Sequence, residues 1–410
     1  MSHNEVMRPP RPPTALVLSG GGTRGAYEVG VVAGIAEVLD TDPGTPALFD
    51  IFAGTSVGAI NAAYFAANAD AHDHRVERLV DTWQSLRLND HARVRLLGLT
   101  PMPETLSRFA KSTLLGKSLL DTRAVEVLVR RTVDWERLHR NVDAGIVRAL
   151  MVAALHVVSG RTTMFTEGAP GVHIADTRDE RRVTAFERIT ADHVLASAAI
   201  PLLFPTRKLG EHYYCDGGLR FNTPIAPAIR AGAERLVVVS VRHARSVREV
   251  AAVEAADHAE MQNLSPVFLV GKLLNALLLD PVQYDLQVLD RVNQMMEVLE
   301  ETLSPEDLER FHRVWVRHRG SAYRRIKTLT FTPSRDLGRL AAEYMRKSVT
   351  LKGLTGIARY LLERAARDSA ETEADWASYM LFDGGFAHEL IEVGKADARA
   401  RADEIREFFA

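Results

Sequence analysis

Residues 54–58 read Gly-Thr-Ser-Val-Gly, a G-x-S-x-G spacing with an apolar run before it and small and apolar residues after it. This is the spacing of a serine nucleophile on a sharp strand-to-helix turn. Gly54 and Gly58 let strand and helix approach without Cβ clashes, and Ser56 is lifted to a helix N-terminus, where the helix dipole favours developing negative charge. The chemically inert alternative is a glycine-rich turn with an N-capping serine. A second turn, Gly20-Gly21-Gly22-Thr23-Arg24-Gly25, follows an apolar run and would expose backbone amides to an anion, as an acyl-transfer oxyanion requires. Gly20, Gly22 and Gly25 also satisfy G-x-G-x-x-G. A dinucleotide fold, however, places an acid at the end of the second strand, and here that strand ends in Gly54-Thr55-Ser56, with Asp50 near its start.

A serine hydroxyl needs a base. Asp216-Gly217-Gly218 offers one, with glycines that allow close backbone approach. Asp-Gly is also a common turn pair, and Asp383-Gly384-Gly385 repeats the triplet. A Ser-His-Asp arrangement would use Ser56, Asp216 and either His243 or His388 in chain order. His72 with His74, and His212 with Cys215, lack third and fourth ligands at useful spacing, so neither a metal nor another cofactor is expected. "LLGKS" resembles the end of a phosphate-binding loop, but Lys111 stands where its first glycine should be.

These residues need a scaffold. Thr14–Ser19 and Phe49–Gly54 read as buried parallel strands, each followed by a helix, over 24–39 and 57–68. Ala149–Val158, "RTTMF" near an edge or in a hairpin, Glu234–Val241 and Ile326–Phe331 add strands. The βαβα opening predicts a three-layer α/β/α fold with a mainly parallel central sheet. The expected organisation is a flexible lead-in over 1–13, a catalytic domain over 14–245, and a mainly helical region over 246–410. The strand near 326–331 would let that last region partly complete the catalytic domain. A net charge of −2 gives no electrostatic case for nucleic acid, and a single cysteine, Cys215, suits a reducing compartment. The N-terminus lacks an apolar signal core, and no apolar run is long enough to span a bilayer. A cytoplasmic protein is expected, with peripheral membrane contact left open. The apolar stretch Val267–Leu279 could be a buried helix, a lid or an interfacial helix. Composition says nothing about the oligomeric state.

Taken together, "LVLSGGGTRGAYEVGVV", "GTSVGAINA", "LASAAIPLLFP" and "YCDGGLRFNTPI" resemble, in order and rough spacing, the patatin-like phospholipase family. The resemblance covers about residues 14 to 241. It implies a Ser-Asp dyad of Ser56 and Asp216 with no histidine, an oxyanion loop of Gly20, Gly21, Gly22, Thr23, Arg24 and Gly25, and support from Gly54, Gly58, Gly217 and Gly218. It also implies cleavage of acyl esters in phospholipids, lysophospholipids or neutral lipids. Ser197 and Pro201 fall in register with a segment that precedes the aspartate, while Pro205-Thr206 departs from the familiar double proline. Arg24 would stabilise its loop or pair with a lipid phosphate. A non-catalytic lipid-binding or scaffold protein on the same fold is the reading from a different class.

Overall fold

The computed structural model describes residues 11–40, 47–87, 123–172, 174, 177, 179–201, 204–243, 282–319, 323–347 and 378–410. Val267–Leu279 and the "LLGKS" segment lie outside these residues.

Among the described residues, nine strands form one sheet: β1 Thr14–Leu18, β2 Ile51–Thr55, β3 Ala149–His156, β4 Thr162–Gly168, β5 Arg182–Phe186, β6 Arg207–Leu209, β7 His212–Asp216, β8 Arg235–Val239 and β9 Lys327–Phe331. Their order is β5-β4-β3-β2-β1-β8-β9, with β7 also on β3 and β6 on β7. The run β3-β2-β1-β8-β9 is parallel throughout. β4 and β7 run antiparallel to β3. β4 forms a hairpin with β3 and lies one strand in from the edge, covered by β5.

Strand alternation builds two cores. Leu16, Leu18, Phe52, Val152 and Val239 face α1 (Gly25–Leu39), α2 (Val57–Ala67) and α3 (Val76–Gln84). Ala15, Val17, Ile51, Ala53 and Val238 face the opposite layer, which includes Phe221 and Ala228. Because side chains alternate with period two, a continuous apolar strand supplies both layers. Two further helices, α4 (Arg123–Thr132) and α5 (Trp135–Asp143), lead into β3, and α6 (Ala191–Ser197) and α7 (Ile225–Arg230) flank the β6–β7 hairpin.

The first and last described segments are tied to this sheet. Arg11 pairs with Asp50 at 2.8 Å, and the Pro13 carbonyl accepts from the amides of Glu234 and Arg235. Residues 11–13 are therefore anchored, where the sequence suggested a lead-in. Helices α8 (Val282–Thr302) and α9 (Pro305–Arg319) precede β9, followed by α10 (Leu337–Lys347), α11 (Gly384–Arg399) and α12 (Ala402–Phe409). The helix α11 lies directly on α1. A Cβ at Gly30 would fall 2.2 Å from the Ile391 carbonyl oxygen, and one at Gly394 would fall 2.4 Å from that of Tyr27. The contact is backbone against backbone, so no side-chain adjustment relieves an added group. Gly30→Val should therefore destabilise the protein by about 2 kcal/mol or more. A thermal melt reads this as a drop in Tm of the whole fold; an unchanged Tm would mean that α1 and α11 do not pack this closely.

Candidate active site

The register on β3 brings the sequence-predicted residues together. β2 runs parallel to β3 and ends with Thr55 opposite Ala153. β7 runs antiparallel on the same edge, since β4 occupies the other, and ends with Asp216 opposite Ala154. The C-terminal ends of β2 and β7 therefore meet along one edge of β3. Ser56 follows the first end, and Asp216 is the second.

Ser56 adopts φ 54° and ψ −124°, a conformation rare for a residue with a side chain. Such backbone strain costs of order 1–3 kcal/mol and persists where the surroundings fix it. Here they do. A Cβ at Gly54 would lie 2.3 Å from the Gly58 carbonyl oxygen, and one at Gly58 would lie 2.5 Å from that of Leu18, so β2, α2 and β1 touch through backbone. The Ser56 amide donates to Ser197 Oγ at 2.8 Å, and that hydroxyl donates to the Ala153 carbonyl at 2.6 Å. Ser197 thus bridges the gap where β2 leaves β3. Thr55 Oγ1 donates to the Phe221 carbonyl at 3.0 Å, tying the elbow to the loop after Asp216.

Asp216 is fully buried. Its amide donates to the Ala199 carbonyl, and its Oδ1 accepts from the Gly218 amide at 2.7 Å. Oδ2 is buried and lacks a hydrogen bond of good geometry. The Ser56 side chain nevertheless lies against this carboxylate. Burial pushes the Asp216 pKa up to about 7, while the Ser56 hydroxyl and the Gly218 amide pull it down. Gly217 fits against the sheet because a Cβ there would sit 2.3 Å from the Ala153 carbonyl oxygen.

The glycine turn joins the site through Asn222. The Gly20 amide donates to Asn222 Oδ1 at 3.0 Å, and Asn222 Nδ2 returns a bond to the Gly20 carbonyl at 3.1 Å. Gly20 is thus an anchor with its N–H engaged. Gly22, at φ +57°, lines the same cleft as Ser56. Arg24, at 5 % exposure, turns inward: Nε donates to Ser378 Oγ at 2.8 Å, and its guanidinium stacks 4.0 Å above the Tyr379 ring. Thr23 Oγ1 donates to the Tyr379 carbonyl. Of the two roles open to Arg24, this geometry is that of a loop stabiliser. Behind the turn, Glu28 is fully buried and accepts from Asn61 Nδ2 of α2 at 2.9 Å; burial holds its carboxyl well above the usual range. Gly25 gives α1 room beside Val57.

The cleft around Ser56 is apolar. Leu195, Ile200, Phe204, Tyr379 and Met380 line it, and it encloses roughly 580 Å³ of empty space, part of it open to solvent. Among the described residues, no histidine lines it. His243 Nδ1 lies 2.8 Å from the Pro333 carbonyl oxygen, and His388 bonds Gln84. Asp383 caps α11, accepting from the Gly385 and Phe386 amides and from the Tyr344 hydroxyl. Both ring nitrogens of His74 face backbone partners, Phe49 N and Phe65 O, which leaves neither for a ligand. No group of three potential metal-ligating side chains occurs among the described residues. The roles of Ser197 as a bridge and Asn222 as a clamp were not legible from the sequence. Their signal was position, since both fall inside the motifs "LASAAIPLLFP" and "YCDGGLRFNTPI".

The chain is 29% identical over 215 residues to a Pseudomonas aeruginosa protein named cGAMP-activated phospholipase, a match covering 51% of this chain and 53% of that one. The match thus spans about half the length of that relative. Among solved structures, human GIVD cytosolic phospholipase A2 in complex with methyl gamma-linolenyl fluorophosphonate overlays with a TM-score of 0.42 at 11% identity, covering 97% of this chain and 59% of that one. VipD from Legionella pneumophila overlays at 0.32 with 12% identity, covering 93% and 67%. Overlaps this loose do not bear on the chemistry. The family model for patatin-like phospholipase matches residues 16–229, from β1 through α7, a span that contains Ser56, Asp216, the glycine turn, Ser197 and Asn222. With more than half of its residues in that match, the chain belongs to the patatin-like phospholipase family.

Proposed function

We propose that the chain is a lipid acyl hydrolase, of phospholipase A or lysophospholipase type, acting through a Ser56–Asp216 dyad. The observation that carries this reading is the Ser56 hydroxyl set against a fully buried carboxylate that has one oxygen unsatisfied. Asp216 Oδ2 takes the Ser56 proton as Oγ attacks the ester carbonyl. The oxyanion forms beside the glycine turn, where the Gly22 amide shares the cleft, with the buried Arg24 charge behind it. Collapse expels the alcohol, which takes the proton from Asp216, and leaves an acyl-enzyme. Asp216 then takes a proton from a water that attacks the acyl carbonyl, and returns it to Ser56 Oγ as the fatty acid leaves. A carboxylate at its usual pKa of about 4 is a weak base, and burial improves its match to the task. The apolar cleft suits an acyl chain, and family membership supports the same reaction class. Among the described residues, no helix is long and apolar enough to cross a membrane.

Three expectations follow from the dyad. A fluorophosphonate probe should label the protein, and Ser56→Ala should abolish both labelling and fatty-acid release, by about a thousand-fold or more. A lipid binder without catalysis would not label. Because Asp216 must be ionised, kcat/KM should rise with pH through about 7 and level off above it. A profile flat from pH about 5 to 9 would reject Asp216 as the base.

The same shift has a stability sign. The folded state holds a proton on Asp216 up to about 7, whereas the unfolded chain loses it near 3.8. Stability therefore falls as pH rises between those values, by up to about 4 kcal/mol. Asp216→Asn should be inactive yet melt higher than wild type at alkaline pH. Ser197→Ala should lower kcat by about ten- to a hundred-fold with KM little changed, since the elbow loses the bridge that aims it. Ser197→Thr should restore most of that loss. Equal losses in both variants would leave Ser197 without a positioning role.

A further inference from the structure

Resting on the acyl-hydrolase reading, a second cavity next to Ser56 bears on which acyl chains fit. It lies between α2, α3 and α4 and spans roughly 540 Å³ of empty space, part of it open to solvent, and its described lining, Thr82 and Thr132 included, turns apolar surface toward it. Leu79, Trp83, Leu86, Leu128 and Val129 form its far walls. Its near wall consists of Val57, Ile60, Val125 and Phe382, and the same four side chains also line the cleft that holds Ser56. The two cavities are therefore neighbours across one layer of apolar side chains. Val57 and Ile60 are the first and fourth residues after Ser56 and fall on one face of α2, so the helix that carries the serine also forms a rail from one chamber to the next.

Protein interiors are close-packed, so an apolar recess left unfilled between three helices is uncommon. A void without hydrogen-bonding groups does not hold ordered water well and accepts hydrocarbon. The floor is rigid: the Trp83 indole donates to Asn61 Oδ1 at 3.3 Å, and Asn61 is fixed in turn by the Gly25 carbonyl and Glu28. We infer that this second chamber receives the distal part of a long, unbranched acyl chain whose ester carbonyl sits at Ser56. Phe382 and Val125 are the specificity-determining residues at the passage between the chambers. Short acyl groups end in the first chamber. Longer ones gain about four-fold in kcat/KM for each methylene buried beyond the passage.

The test uses the full chain and a ladder of p-nitrophenyl esters from butanoyl through hexanoyl and dodecanoyl to palmitoyl. Wild type should prefer the long esters. Leu128→Trp fills the far chamber and should lower the palmitoyl-to-hexanoyl ratio of kcat/KM by about ten-fold or more. A ratio unchanged in a folded variant overturns the inference. If that variant does not fold, a binding measurement decides. In the Ser56→Ala protein, palmitate brominated near its methyl end should quench Trp83 emission, with Trp83→Phe as the control. Palmitate brominated beside the carboxylate should not. Equal quenching by both, or none by either, overturns the inference. Failure of the underlying reading looks different: wild type would hydrolyse no ester of the ladder, or Ser56→Ala would hydrolyse them as well as wild type.

Discussion

The site depends on a change of neighbour along one edge of β3. Up to Ala153 that edge pairs with β2, and from Ala154 onward it pairs with β7, running the other way. Two strand ends that point at each other would leave backbone groups unpaired inside the protein, which is costly. The Ser197 hydroxyl fills this role. It accepts from the Ser56 amide and donates to the Ala153 carbonyl, so the break in the ladder stays satisfied. The ladder sets the spacing of Ser56 and Asp216, and a difference of one residue in either register would turn one side chain to the opposite face.

A carboxylate in such a place opposes folding. Asp216 is fully buried, with one oxygen bonded and the other not, and its raised pKa records the desolvation. Ser56 carries backbone strain beside it. Both terms are held by rigid surroundings. Close backbone packing at Gly54, Gly58 and Gly217 leaves the elbow and the aspartate loop little room to relax. Under the proposed dyad, the same rigidity is what pre-aimed donors and a base would require, since reorganisation at the moment of reaction would cost rate.

The loop after Asp216 connects the parts. Phe221 accepts from Thr55 beside the elbow, and the next residue, Asn222, clamps Gly20. The glycine turn is held on its other side by the distant segment at Ser378 and Tyr379, which covers Arg24 and contributes to the cleft wall. A region that reads in the sequence as a helical addition thus supplies part of the cleft, and α11 locks onto α1 through paired glycines.

Local chemistry made part of this legible in the sequence. Apolar runs ending in glycines announced β1 and β2, and the spacing of Gly54, Ser56 and Gly58 announced a sharp turn, because these features depend on steric demands within a few residues. Strands β5, β6 and β7 were not legible: they are short and carry polar residues, and their pairing comes from neighbours far away in sequence. Asp216 and Asp383 sit in the same Asp-Gly-Gly triplet, so the triplet alone could not separate a carboxylate facing Ser56 from a helix cap, and only the longer motif around Asp216 pointed to it; the triplet fixes a turn and not where the turn lands. The inward turn of Arg24, the bridge at Ser197, the clamp at Asn222 and a second apolar chamber walled by residues as distant as Val57 and Phe382 were decided in the tertiary structure. Each is a contact between segments separated by more than a hundred residues or by a whole layer of the fold, and no local pattern encodes which segments will meet.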